Sequence, residues 1–290
     1  VNRSASIFVF RLSQKKCNTC SAIRAILFGL SISREATLVI DEQWYKKIWT
    51  LDIKDQSWVE DTGRQVEFIA RTLRLAPGMR VLDLACGFGR HSLALAAMGV
   101  EVVGVDITKE YVDDARKEAA SRGLKAEFVH ADIRELKFAG EFDAVLNLAD
   151  GAIGYLENDE ENLKVFDVIA RALRKGGRHF MDVCSADHAE LCFPKRHWEI
   201  GEKSLSLPDF QWDKASRRML YSQWEAQFGV PLAKPELIEP ATSTRLYSKK
   251  ELKAIFRARG MRIVETFSDY SGKKDSPRDI QLMVHSRKVR

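Results

Sequence analysis

The 290-residue chain lacks any apolar run near the length of a bilayer span, which excludes a spanning helix in the sequence as read. Its five cysteines, Cys17, Cys20, Cys86, Cys184 and Cys192, are odd in number and show no disulfide-framework spacing. That usage excludes a disulfide scaffold and suits a cytoplasmic location. Cys17 and Cys20 form a C-x-x-C without a second pair or a nearby histidine, and the six histidines are scattered, so no metal centre is expected. Acids are missing from residues 1–34, which carry +6, while residues 248–290 carry +7, leaving −8 for residues 35–247. The net charge of +5 therefore does not describe a globally basic groove, and no nucleic-acid partner is expected. Tryptophan is absent between Pro77 and Val183, although the chain has six.

What that tryptophan-free region does contain is R-V-L-D-L-A-C-G-F-G-R-H-S, from Arg80 to Ser92. Val81, Leu82 and Leu84 are the apolar run of a strand buried on both faces. Asp83 interrupts it, and a carboxylate near the end of a buried strand is costly unless hydrogen-bonded, so it should face a loop or a ligand. Gly87 and Gly89 make a tight turn where backbone can approach a ligand. Leu93, Leu95, Ala96 and Ala97 then suit a helix that ends at Gly99.

A G-x-G turn alone is a weak nucleotide signal. It is strengthened by Glu101 to Asp106, a second buried strand whose terminal acid, 17 positions after Gly89, stands where ribose hydroxyls are bound. The third glycine of a dinucleotide fingerprint is replaced by Ser92. A pyrophosphate favours glycine amides at a helix N-terminus and is repelled by an acid beside it. Asp83 instead suits a sulfonium amino acid, which has no phosphate and offers an ammonium group.

These stretches, V-L-D-L-A-C-G-F-G-R-H-S followed by V-V-G-V-D-I, resemble the class I S-adenosylmethionine-dependent methyltransferases. The similarity runs roughly from Ala76 to Val183. It implies S-adenosylmethionine as cofactor, with Ala85, Cys86, Gly87 and Gly89 under its methionine part and Asp83 near the amino group. It further implies Asp106 on the ribose, Ile107 against the adenine, Asp132 on the adenine amino group with Ile133 beside it, and Asn147, Leu148 and Tyr45 completing the cofactor site. Taken singly, each acid also has a plain explanation as a helix cap or turn former. Three acids in order at three strand ends favour the ligand.

Along the chain, residues 1–40 are acid-poor and lack periodicity, and a poorly ordered extension is expected there. Trp44, Tyr45, Ile48 and Trp49 have helical spacing, and a second helix is expected from Ser57 to Leu75. Helices Thr108 to Arg122 and Asp159 to Arg174 alternate with strands Ala126 to His130, Phe142 to Leu148 and Arg178 to Val183. This predicts an α/β fold, a doubly wound Rossmann-like sheet of seven strands with the last antiparallel. Residues 41–185 and 246–290 form the main domain. Residues 186–245, with Trp198, Trp212 and Trp224, read as an antiparallel β insertion acting as lid or substrate cap, with strands at Trp198 to Leu207 and Arg218 to Phe228. Ser248 with Glu251 is a capping box. Met261 to Phe267 and Asp279 to His285 are the last two strands, expected as an edge hairpin.

Methyl transfer is an in-line displacement that requires no metal, and a base only if the acceptor carries a proton. Asp150 and Tyr155, after the fourth strand, are the candidate catalytic groups; their alternative roles are turn former and packing residue. Trp44, Trp49, Asp150, Tyr155 and Trp198 are candidate acceptor-binding residues, although the aromatics equally suit a homodimer interface or the core of the insertion. A small-molecule acceptor with a nitrogen or oxygen nucleophile is the leading reading, since N-L-A-D at Asn147 to Asp150 lacks the proline-aromatic signature of nucleic-acid amino-methylating enzymes. A protein or RNA acceptor, a nicotinamide oxidoreductase and a non-catalytic binding module are the alternatives.

Overall fold

Strand and helix signals of the central region map onto a parallel sheet with helices on both faces. The computed structural model describes residues 41–55, 59–201, 204–232 and 242–289. The expectations for residues 1–40 and for the start of the second helix at Ser57 lie outside them. In chain order the first half contains α1 (Thr62–Leu73), β1 (Arg80–Leu84), α2 (Arg90–Ala97), β2 (Glu101–Asp106), α3 (Lys109–Ser121), β3 (Ala126–His130), β4 (Phe142–Asn147), α4 (Asp159–Ala172) and β5 (Leu173–Cys184). The second half contains α5 (Ala186–Cys192), β6 (Lys195–Arg196), β7 (Glu199–Ile200), β8 (Ser204–Asp213), β9 (Arg218–Gln227), β10 (Thr242–Arg245), α6 (Lys249–Ala258), β11 (Met261–Phe267) and β12 (Gln281–Lys288).

The main sheet has seven strands in the order β11-β12-β5-β4-β1-β2-β3. β1 to β5 pair in parallel, and β12 alone runs antiparallel, inserted between β5 and β11. The final hairpin thus forms an edge in which β11, not the last strand, is outermost. Successive side chains of a strand point to opposite faces, so each face needs its own cover. Val81, Val102, Ala144, Leu146 and Phe180 pack with Phe68, Ile69 and Leu73 of α1 and Leu95 of α2. Leu82, Leu84, Val103, Val105 and Val145 join Val165, Phe166 and Ile169 of α4 and Leu252 and Phe256 of α6 on the other side. Double coverage is why these strands read as nearly continuous apolar runs.

Several boundaries differ from the sequence reading. Trp44 to Trp49 is not a helical stripe: Trp44–Lys46 is a single 3-10 turn, followed by another at Leu51–Asp55. β5 begins at Leu173, because Leu173 pairs with Phe142 across a bulge and carries Gly176 and Gly177 inside the strand. α5 was not anticipated; Ser185 caps it by accepting from His188 N. The strand expected at Trp198 to Leu207 is instead β8, which runs through Pro208 to Asp213. Its partner breaks into β6, paired at Lys195 and Arg196, and β7, paired at Glu199 and Ile200. Pro208 lies opposite that break and has no N–H to donate to the ladder.

β8 and β9 form a ten-residue antiparallel ribbon, joined by β10 on its outer side. Phe210, Met219 and Tyr221 of this second sheet pack with Ala186 and Ala189 of α5 and with Leu246. β10 also seats the loop after β4. Arg245 N donates to Gly154 O (2.8 Å), Trp44 Nε1 to Ser243 O (3.3 Å) and Arg218 Nη2 to Ser243 O (3.0 Å). Gly154 has φ +87°, and a Cβ there would stand 2.0 Å from Arg245 O. Both the left-handed backbone and the close approach therefore require glycine.

Gly154→Ala should cost on the order of 3 kcal/mol, from strain and displacement of β10 together. Gly140→Ala, at φ +70° but with nothing within 4 Å of the new Cβ, should cost about 1 kcal/mol. Calorimetric melting of both variants checks this, and equal losses would refute the close approach.

Candidate active site

The carboxyl ends of β1, β2 and β4 open into one cleft. Tyr45, Asp83, Ala85, Cys86, Gly87, Asp106, Ile107, Asp132, Ile133 and Leu148 all line it, as do Trp49 and Tyr155. Sequence reading had placed each of these at a ligand. It missed Phe88, Arg90, Thr108, Tyr111 and Gly151, which also line the cleft; their signal was adjacency to the glycine turn and to the two strand ends.

β1 leaves the sheet through Ala85, whose φ of +54° is unusual for a residue with a Cβ. Cys86 N then donates to Val105 O (3.0 Å). Gly87 N donates to Asp106 Oδ2 and Thr108 N to Asp106 Oδ1, each at 2.8 Å. One carboxylate thus fixes both turns, and each of its oxygens retains acceptor capacity toward the cleft. Burial pushes the Asp106 carboxyl up, against these backbone donors.

The two turn glycines serve different ends. A Cβ on Gly87 would meet nothing nearer than Tyr111 Cδ2 at 4.0 Å, so its open side faces the cleft. A Cβ on Gly89 would press within 2.7 Å of the Phe128 ring. Gly89 does not line the cleft: it lets α2 settle over Phe128, which corrects its expected place under a ligand.

Asp83 is buried at the cleft wall, and Ser92 Oγ donates to its Oδ2 at 2.6 Å. The serine that replaces the third glycine therefore holds this carboxylate. Burial pushes Asp83 up to about 7, with the Ser92 hydrogen bond and the Arg90 guanidinium pulling it down and Asp106 adding to the rise. His91 is buried, its Nε2 2.8 Å from Gln65 Oε1, and burial with the neighbouring Arg90 charge holds it well below the usual histidine range.

Asp132 faces the cleft, but its carboxylate is taken. Arg134 reaches it through its backbone N (2.9 Å), Nε (3.0 Å) and Nη2 (2.6 Å), and goes on to Glu157 and Glu161. Tyr45 is held against the same network by its hydroxyl, 2.9 Å from Glu157 Oε1.

Four other expected site residues lie outside the cleft. Asn147 is fully buried, and its Nδ2 donates to Leu84 O and Gly151 O, closing the turn behind the cleft. Asp150 is buried, accepting from Cys184 N (2.9 Å) and Tyr155 OH (3.2 Å). Trp44 lies behind Tyr155, ring centroids 4.8 Å apart. Trp198 is 65% exposed on the second sheet and takes no part.

The donor set fits an amino acid joined to a nucleoside. Asp83 matches an ammonium group, the spare acceptors of Asp106 match a ribose diol, and Ile107 and Ile133 offer apolar contact to a base. A family profile described as "Methyltransferase domain" matches residues 81–177. The chain is 35% identical over 128 residues to the putative methyltransferase YqeM of Bacillus subtilis, covering 44% of this chain and 51% of the relative. It is 28% identical over 214 residues to the cypemycin N-terminal methyltransferase of Streptomyces, covering 71% and 82% respectively. A solved S-adenosylmethionine-dependent methyltransferase from Clostridium acetobutylicum shares the fold, with a TM-score of 0.64 at 18% identity over 81% of this chain and 96% of that one. Residues 81–177 thus match a methyltransferase domain, and the chain is similar to S-adenosylmethionine-dependent methyltransferases. It spans about half the length of the YqeM relative. Among the described residues no helix is long and apolar enough to cross a membrane, and no cluster could hold a metal ion.

The similarity to these methyltransferases makes two residues testable against the cofactor. Asp106→Ala should weaken S-adenosylmethionine binding at least tenfold, since charge-assisted hydrogen bonds are worth about 1.5–3 kcal/mol each. It should also lower the melting temperature, because Gly87 N and Thr108 N lose their acceptor. Calorimetric titration well below the melting temperature separates the effects, and unchanged affinity would refute the ribose assignment. For Asp83, the ammonium partner requires the ionised carboxyl, whose free-protein pKa is about 7. As pH falls below 7 the carboxyl takes a proton, so affinity should drop, approaching roughly tenfold per pH unit, and should level off above 7. Asp83→Asn should bind weakly without that limb.

Proposed function

We propose that the chain transfers a methyl group from S-adenosylmethionine to a small-molecule acceptor through an amine or hydroxyl nucleophile. The observation that carries this reading is the Tyr155–Asp150 pair. Above a pH of about 6, to which burial raises Asp150, its carboxylate can only accept, so the Tyr155 proton is committed to Asp150 Oδ2. The phenol oxygen is then left as an acceptor in the cleft wall. A group that donates a hydrogen bond, N–H or O–H, is what such an oxygen orients.

When bound, S-adenosylmethionine supplies an activated methyl on a sulfonium centre. Asp83 and Asp106 hold its two polar ends, and orientation of this kind contributes about 7 to 11 kcal/mol when the reacting atoms are aligned. Burial and the Asp150 charge keep the Tyr155 hydroxyl well above its ordinary range, so Tyr155 does not act as a free phenolate base. It relays: as the nucleophile gives up its proton to the phenol oxygen, the phenol proton passes to Asp150 Oδ2. Trp49, stacked on Tyr155 at 6.4 Å and 21°, and Tyr45 form an aromatic wall that excludes water. Apolar walls with a few fixed polar groups suit a small molecule better than a polymer. The name of the cypemycin relative, an N-terminal methyltransferase, is in keeping with a nitrogen acceptor.

A labelled-methyl screen across amine, hydroxyl, carboxylate and thiol metabolites tests the proposal, with label expected in amines or hydroxyls. Tyr155→Phe should lower kcat/KM by about 10- to 100-fold while leaving cofactor affinity within about twofold. Label found only in protein or RNA, or undiminished transfer by Tyr155→Phe, would overturn it.

A further inference from the structure

The positive charge of residues 248–290 plays no part in the cleft, and the fold gathers part of it at the opposite end of the sheet. Arg178 of β5 pairs in register with Arg287 of β12, and Arg287 with Arg262 of β11. Directly paired residues point to the same face, so three guanidinium groups stand in a row across three strands, roughly 4.8 Å apart at the backbone. Arg74, just past the C-terminus of α1, and Thr72 complete a groove of about 390 Å³ with these three.

Like charges directly opposite in a sheet are destabilising. Among the described residues none of these four arginines makes an ion pair, whereas Arg80, Arg134, Arg174, Arg245 and Arg259 all do. Arg178 Nη1 spends a donor on Leu73 O (2.8 Å) and Arg287 Nε on Gly176 O (3.1 Å), leaving most of each guanidinium fork unused. Two residues along the same face, His285 also lines the groove. It is 7% exposed, and neither ring nitrogen has a hydrogen-bond partner. Glu265, whose Oε2 is 3.6 Å from His285 Nδ1, is the one acid lining the groove. Around one carboxylate, that of Glu265, the groove thus gathers four guanidinium groups with more donors than the protein itself satisfies.

We propose that this groove binds a diphosphate group. Two linked phosphates present enough oxyanions to engage a row of forks at once, which favours Arg over a single point charge. A nucleic-acid strand needs a longer basic track than this row of arginines provides.

Titrating the full chain calorimetrically with inorganic pyrophosphate at low ionic strength tests this. One equivalent should bind, and orthophosphate should bind at least tenfold more weakly. The double variant Arg74→Gln/Arg262→Gln, which removes two side chains with no hydrogen bond in the structure, should weaken pyrophosphate binding at least tenfold and leave S-adenosylmethionine affinity unchanged. A charge-matched control, Lys117→Gln/Lys253→Gln, should stay within twofold of the parent. Absence of pyrophosphate binding, equal weakening in the control, or orthophosphate binding as tightly as pyrophosphate would overturn the proposal. So would an oligonucleotide duplex that displaces pyrophosphate at a lower phosphate concentration.

Discussion

A single carboxylate ties together the two loops on which the cleft depends. Asp106 ends β2 and receives Gly87 N from the turn after β1 and Thr108 N from the turn before α3. Burying an ionised group is costly, and these two donors are what make it tolerable. The same residue lines the cleft, with acceptor capacity beyond these two donors. Structural bracing and ligand recognition are therefore not competing uses of Asp106; the first aims the second.

Asp83 and Asp150 are buried even more deeply, and their partners separate their roles. Asp83 receives Ser92 Oγ on one oxygen and lines the cleft, so it is the acid with capacity left for a charged ligand. Asp150 spends one oxygen on Cys184 N and the other on Tyr155 OH. It does not line the cleft and reaches it only through the hydroxyl of Tyr155. Asp182, the neighbour of both Asp150 and Arg90, accepts from Tyr270 OH at 2.7 Å and keeps Oδ1 without a partner. Burial raises it to about 7, with Asp150 adding to the rise. Proximity of the two acids means that a proton arriving on either makes the other easier to ionise.

The cofactor half of the site was legible in the sequence because its geometry is local. Asp83, Gly87 and Ser92 lie within ten residues, and Asp106 follows on the next strand, so strand, turn and helix signals suffice to place them. The acceptor half was not, because its contacts are remote in sequence. Trp44 is held by Ser243 O, 199 residues away, and no local pattern tells that its ring lies behind Tyr155 rather than in front of it. Asp150 read as a catalytic group facing the acceptor or as a turn former, whereas pairing with Cys184 N, 34 residues on, turned its carboxylate inward. Trp198 followed from composition alone, and composition does not tell which face of the second sheet a side chain takes; Trp198 lies exposed, away from the cleft.

Asp132 shows how a motif position keeps its place while its role changes. It lies at the cleft, where the family resemblance expects an acid for the adenine amino group. Its carboxylate has about four lone-pair positions, and Arg134 meets both oxygens through its main chain and its guanidinium. The Asp132 carboxyl is held below its ordinary range, since the Arg134 contacts outweigh the effect of burial. An adenine amino group would have to displace part of a charge-assisted, two-pronged pair with a neutral donor, which is an unfavourable exchange. For the cofactor placement expected from the resemblance, recognition at the base end would fall to the apolar sides of Ile107 and Ile133, and the burden of affinity to Asp106 and Asp83. A ligand with a different base but the same ribose and sulfonium amino acid would lose comparatively little in this cleft, whereas one lacking the ammonium group would lose the pairing that justifies burying Asp83.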